Sequence, residues 1–187
     1  MNKPKRKNLK PEDRRSQFLD CAEALFFTKG YDDTSIQDVL NMAGVSKGGF
    51  YHHFKSRDAF LAAMIEAWQS TSLASLATRL QNEDSADGKR KIMRGVSLEW
   101  DGAFERQLRI LAAQEPIVAK LLSQVDELRI QGLAGMIALL QPDVDDPAAF
   151  AFVQYAAIVG GQMLLSSDQD ARIPAIRKTG NEIFGLR

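Results

Sequence analysis

The residues of this chain best equipped for chemistry crowd into one short stretch: Ser46, Lys47, Gly48 and Gly49, followed by Tyr51, His52, His53 and Lys55. The two histidines are the only ones in the sequence, and no cysteine lies near them. Two neighbours on one short helix make neither a metal-ligand set nor a base with its orienting partner. No metal or cofactor is expected. What the cluster shares is hydrogen-bond donors. Tyr51, His52 and Lys55 can serve phosphate oxygens, and Lys47 and His52 can also reach base edges. The paired glycines carry no side chain at the start of their helix, where unpaired N–H groups attract phosphate. The lone cysteine, Cys21, falls on an apolar stripe and reads as a small core residue, leaving no intramolecular disulfide. Nowhere does a nucleophile–base set, phosphate loop or metal cluster appear, so nothing supports an enzyme.

Those donors need elements to hold them. Pro11, Glu12 and Asp13 open a first helix, with Phe18, Cys21, Ala22, Leu25 and Phe26 at helical spacing. Lys29-Gly30 closes it. Thr34 is expected to cap a second helix, with Gln37 completing a capping box and Ile36, Val39, Leu40 and Ala43 on its buried face. Gly44 ends that helix, and Ser46 caps a third that runs to about His53. Two short helices joined at Gly44-Val45, with Ile36, Val45 and Phe50 fixing their crossing, make a helix-turn-helix. Ser56 caps a fourth helix carrying Phe60, Leu61, Met64, Ile65 and Trp68.

Beyond it, Asn82 to Gly88 reads as a loop. Helices are then expected over Lys89–Phe104, Glu105–Ala113, Pro116–Leu140, Pro147–Leu164 and Pro174–Phe184. The third of these carries Leu121, Val125, Leu128 and Met136 near one stripe. The chain is therefore predicted to be all-α. It divides into a basic arm over residues 1–10, a helix-turn-helix domain over 11–55 and a helical regulatory and dimerisation domain over 56–187.

The formal net charge is zero, but its distribution is uneven. The first sixty residues carry a small positive excess, and the first ten hold five lysines and arginines with no acid. Such an arm gives a local electrostatic footprint. There is no secretory signal pattern, and no run of about 18 consecutive apolar residues. No membrane association is expected, and the location is expected to be cytoplasmic.

The ordered set from Ala43 through Gly44, Val45, Ser46, Lys47, Gly48, Gly49, Phe50, Tyr51, His52, His53, Phe54 and Lys55 to Ser56 resembles the signature of the TetR family of bacterial transcriptional regulators. Ala22, Leu25, Phe26, Gly30 and Thr34 stand in register with the same family. The resemblance covers about residues 12–65. It implies a three-helix DNA-binding domain, a helical regulatory domain, a homodimer and a small-molecule effector that releases operator DNA. Carried over residue by residue, DNA contacts fall on Thr34, Ser46, Lys47, Gly48, Gly49, Tyr51, His52 and Lys55, with Phe50 and Phe54 in the core. Two positions depart from the family pattern. Gly49 stands where threonine or asparagine is common, and Leu40 where alanine is usual.

The reading that follows is a sequence-specific regulator, a repressor released from a palindromic operator by a small molecule. The alternative is a DNA-binding regulator controlled by a protein partner, or constitutive. Trp68, Trp100, Phe104, Met136, Phe152 and Tyr155 are candidates to line an effector pocket, with Arg94, Arg109, Gln114, Gln131 and Gln154 as polar groups. Phe150, Val153, Ala157, Gly160, Gly161 and Leu164, with Ile176, Ile183 and Phe184 on the last helix, are candidates for a dimer interface.

Overall fold

Thr34 is placed by the sequence to cap the second helix, but its hydroxyl donates to the Gly30 carbonyl instead, at 2.6 Å. Ser35 is the cap. Its hydroxyl accepts from the Asp38 N–H at 3.2 Å, and the Asp38 carboxylate accepts from the Ser35 N–H at 2.9 Å. The box therefore lies one residue later than expected and is closed by Asp38 rather than Gln37. Gln37 turns outward to Asn41.

This geometry comes from a computed structural model that describes residues 11–30, 34–99, 102–165 and 171–185. Among the described residues every regular element is a helix. In order they are α1 (Pro11–Lys29), α2 (Ile36–Ala43), α3 (Lys47–His53), α4 (Arg57–Gln81), α5 (Ala86–Glu99), α6 (Gly102–Ala112), α7 (Pro116–Leu140), α8 (Pro147–Leu164) and α9 (Ile173–Ile183). The basic arm over residues 1–10 and the pocket candidate Trp100 lie outside the described residues, as does the side chain of Arg94.

The chain falls into two compact units, Met1–Ala67 and Trp68–Arg187. In the first, Phe18, Leu19, Ala22, Leu25 and Phe26 of α1 are buried, as are Val39, Leu40 and Ala43 of α2. Ile36 and Cys21 are half-buried. Burial, aided by the charge of Asp20, pushes the Cys21 thiol up, away from the reactive thiolate. Phe50 of α3 and Phe54, the cap at its end, join Phe18 and Phe60 in one aromatic cluster, with ring centroids 4.9–5.9 Å apart. Such edge and tilted pairs add about 0.5–1.5 kcal/mol each beyond their buried area.

In the second unit two boundaries differ from the sequence expectation. α5 begins at Ala86, not Lys89, because Ser85 caps it, its hydroxyl accepting from the Gly88 N–H at 3.0 Å. α6 begins at Gly102, so Phe104 and Glu105 share one helix rather than flanking a break. On α7 the inward residues are Val118, Leu122, Val125, Arg129, Ile137 and Leu140, while Leu128 is exposed. The 118/122/125/129 spacing is helical, but its last member is an arginine, which an apolar pattern passes over. α8 has 18 residues, none of them charged, and a mean hydropathy of 1.2. By length and composition alone it is long and apolar enough to cross a membrane. Gln154, Tyr155 and Gln162 interrupt its apolar run.

Candidate nucleic-acid interface and regulatory core

The turn between α2 and α3 rests on Gly44, whose φ of 67° is the left-handed conformation that glycine adopts without strain. The Gly44 N–H returns to Asn41 and the Val45 N–H to Leu40, both carbonyls at the end of α2. Ser46 then caps α3, its hydroxyl accepting from the Gly49 N–H at 3.3 Å. Phe50 and Phe54 lock α3 onto the aromatic cluster, and Arg15 stacks on the Phe54 ring at 5.4 Å.

With one side of α3 fixed by those rings, the other is presented outward. Ser46, Lys47, Gly48, Tyr51, His52 and Lys55 are exposed, and Gly49 is half-buried. Tyr51 rests edge-on against Phe50 at 5.3 Å and remains 42% exposed, so its ring is held while part of the side chain stays open to solvent. His53 turns inward toward Phe18 at 5.8 Å. Burial, then the charges of His52, Arg14 and Arg15, hold its imidazole below the usual range. The neighbouring histidines thus separate into one outward donor and one packing residue. Thr34 stands apart from this set, half-buried, with its hydroxyl engaged by Gly30.

The family profile described as bacterial regulatory proteins, tetR family, matches residues 18–64, the span that builds this surface. That segment is similar to the DNA-binding part of TetR-family regulators. The chain is 33% identical over 55 residues to the transcriptional repressor KstR2 of Mycolicibacterium smegmatis, covering 29% of this chain and 27% of that one. It is 28% identical over 176 residues to an HTH-type transcriptional regulator in the lacX 3' region of Lactococcus lactis, covering 85% and 86%. The fold is similar to that of a transcriptional regulator from Saccharomonospora viridis solved in complex with choline. There the TM-score is 0.78 at 19% identity, covering 93% of this chain and 96% of that one. For several of the curated relatives the matched region spans only 21–36% of their own length. These relatives are transcriptional regulators, not enzymes.

The TetR-family match ends at Met64, so the second unit must be read from its own residues. Three of its pocket candidates come together there. Trp68 of α4 and Phe104 of α6 have ring centroids 5.9 Å apart, and Tyr155 of α8 faces the same polar network from another helix. At the centre stand four charges. Glu105 accepts from Arg109 at 2.6 Å through one oxygen and from Arg129 at 3.1 Å through the other. Asp126 accepts from both terminal nitrogens of Arg109 at 2.8 and 3.1 Å, and from the Tyr155 hydroxyl at 2.6 Å. The Arg129 guanidinium lies over the Trp68 ring, 4.6 Å from its centroid.

The titration shifts follow from this arrangement. Burial alone would raise the Asp126 pKa, but the hydrogen bonds from Arg109 and Tyr155 outweigh it and hold the carboxyl below its usual range. Burial works against the Arg109 cation, yet Asp126 and Glu105 raise its pKa further still. Burial and then the Asp126 contact push the Tyr155 phenol up to about 12.

Arg109 and Gln154 were legible in the sequence as polar candidates; Glu105, Asp126 and Arg129 were not. The available signals were the Glu105–Arg109 spacing of four and an arginine on the inward stripe of α7. Among the remaining candidates, Phe152 is exposed, and Met136 is half-buried on α7. Gln114 and Gln131 are exposed, the latter donating to Glu127.

The residues expected at a dimer interface divide in the same way. Phe150 and Phe184 are half-buried against each other at 5.6 Å, joining α8 to α9. Val153, Ala157, Leu164, Ile176 and Ile183 are exposed. Gly160 and Gly161 are half-buried, with open space where a side chain would begin.

Proposed function

We propose that this protein is a repressor that binds a palindromic operator as a homodimer and is released by a small-molecule effector. The observation that carries the reading is the outward row of Lys47, Gly48, Tyr51 and His52 on α3, with Lys55 just past its end, anchored by a cluster of four phenylalanines. A rigid short helix with donors on its free side suits phosphate and base-edge contact in a major groove. Ser46, Gly49 and Thr34 complete the expected contact set.

Homodimer formation is supported by the uncovered apolar face on α8 and α9. Phe152, Val153, Met163, Leu164, Ile176 and Ile183 are each 46–83% exposed. Large apolar residues left exposed in this number favour a partner surface over solvent. The second copy of the chain offers the same face, which is what a two-fold interface requires. Effector control is supported by the polar network beside Trp68, Phe104 and Tyr155, and by the choline bound in a protein of similar fold. An effector that binds better to one conformer shifts the population away from the operator-binding form.

The test is selection of bound fragments from the source genome at two salt concentrations, followed by sequencing. A two-fold symmetric motif whose recovery falls steeply with salt is expected. Equal recovery of unrelated sequences at low salt would exclude sequence-specific regulation.

A further inference from the structure

We infer that the effector is an uncharged molecule with an apolar body and a hydrogen-bond donor, a hydroxyl or amide N–H, which it presents to the side-chain oxygen of Gln154. This rests on the effector-responsive reading above and specifies its chemistry.

Gln154 lies on the inward side of α8 with Ala151 and Tyr155, and is 6% exposed. Its amide oxygen is buried and has no hydrogen-bond partner. Leaving a buried acceptor unmet is costly, so such a group points to a donor that arrives from outside the fold. Gln162, two turns further along the same helix, also has a buried, unmet amide oxygen. The backbone carbonyl of Gln162 accepts from Arg106 of α6 at 3.4 Å, which places this stretch of α8 against α6.

The charged groups argue against an ionic effector. Glu105, Arg109, Asp126 and Arg129 are two anions and two cations, and each carboxylate is already engaged by a guanidinium. An added ion of either sign would be buried without compensation, unless it broke one of those pairs. A cation would also find one face of the Trp68 ring already taken by Arg129. What the network leaves unmet is the acceptor on Gln154, next to Tyr155 on the inward, largely apolar side of α8.

The experiment is isothermal titration of the full chain with four matched probes: 2-naphthol, 2-naphthoate, 2-naphthylmethylammonium and 2-methylnaphthalene. The same titrations are run on Gln154→Met, which keeps the length of the side chain and removes the acceptor. 2-Naphthol is expected to bind the native chain about tenfold more tightly than the other three, the size of one net hydrogen bond. In Gln154→Met that preference falls to the level of 2-methylnaphthalene, whose own retained binding shows that the variant is folded. If the variant does not fold, the ranking of the four probes on the native chain remains decisive. Preference for the carboxylate or the ammonium would overturn the uncharged assignment while leaving effector control standing. Equal binding of 2-naphthol and 2-methylnaphthalene would overturn the role of Gln154. Binding of none, with operator affinity unchanged by all four, would overturn both this inference and effector control.

Discussion

Lys47 opens α3 and Lys55 lies two residues past its end, both exposed, and their proposed contacts differ. Lys55 is assigned to phosphate alone. Lys55→Ala should weaken binding to every duplex alike and reduce the slope of log affinity against log salt by about one. Lys47 is assigned to base edges as well, so Lys47→Ala should also alter the ranking of operator variants. Titrations across a salt series check both, and an unchanged slope for Lys55→Ala would remove it from the contact surface. In the second unit, Tyr155 gives a pH prediction. Its phenol ionises near 10 when unfolded and is pushed up to about 12 when folded. The folded state therefore keeps a proton that the unfolded state has lost. This contribution is complete below pH 10 and is lost as pH rises from 10 through 12. Denaturant melts across that range should show the decline in the native chain and a shallower one in Tyr155→Phe.

At the scale of elements, local rules predicted most of the fold and failed where several residues competed for one role. Pro11, Pro116 and Pro147 start helices where their missing N–H costs nothing, and Gly30 and Gly44 end helices through positive φ. Those boundaries were legible because each depends on one residue's backbone. The start of α2 was not, because Thr34 and Ser35 are both competent caps and only the position of the Gly30 carbonyl decides between them. Ser35→Ala should accordingly lower stability by about 0.5–2 kcal/mol, since it breaks the box with Asp38. Thr34→Ala leaves that box in place and should cost less. Thermal melts of the two variants check the order, and a larger loss for Thr34→Ala would contradict it. The donors of α3 were legible for a similar reason, being close in sequence and held by one short helix. The buried network was not, since its members come from α6, α7 and α8, and no linear spacing joins Glu105 to Arg129 or Asp126 to Tyr155. Removing one member, as in Glu105→Gln, leaves buried charge uncompensated and should cost about 3–5 kcal/mol.

For the whole molecule, the proposed function turns on pairing. The apolar face of α8 and α9 includes Val153 at 58% exposed and Leu164 at 83%, and the open positions at Gly160 and Gly161 allow a second backbone to come close. The double variant Val153→Glu, Leu164→Glu should sediment as a monomer while keeping its helical circular dichroism. A dimer that survives both charges would place the interface elsewhere. If two copies bind one operator, the contacts of one α3 raise the effective concentration of the other at its half-site. Affinity should therefore be compared between the selected palindrome and a duplex of equal length carrying a single half-site. Pairing predicts that the palindrome is bound on the order of 10² times more tightly, with the double variant losing that advantage. Equal affinity for the two duplexes would contradict a dimeric operator-binding repressor.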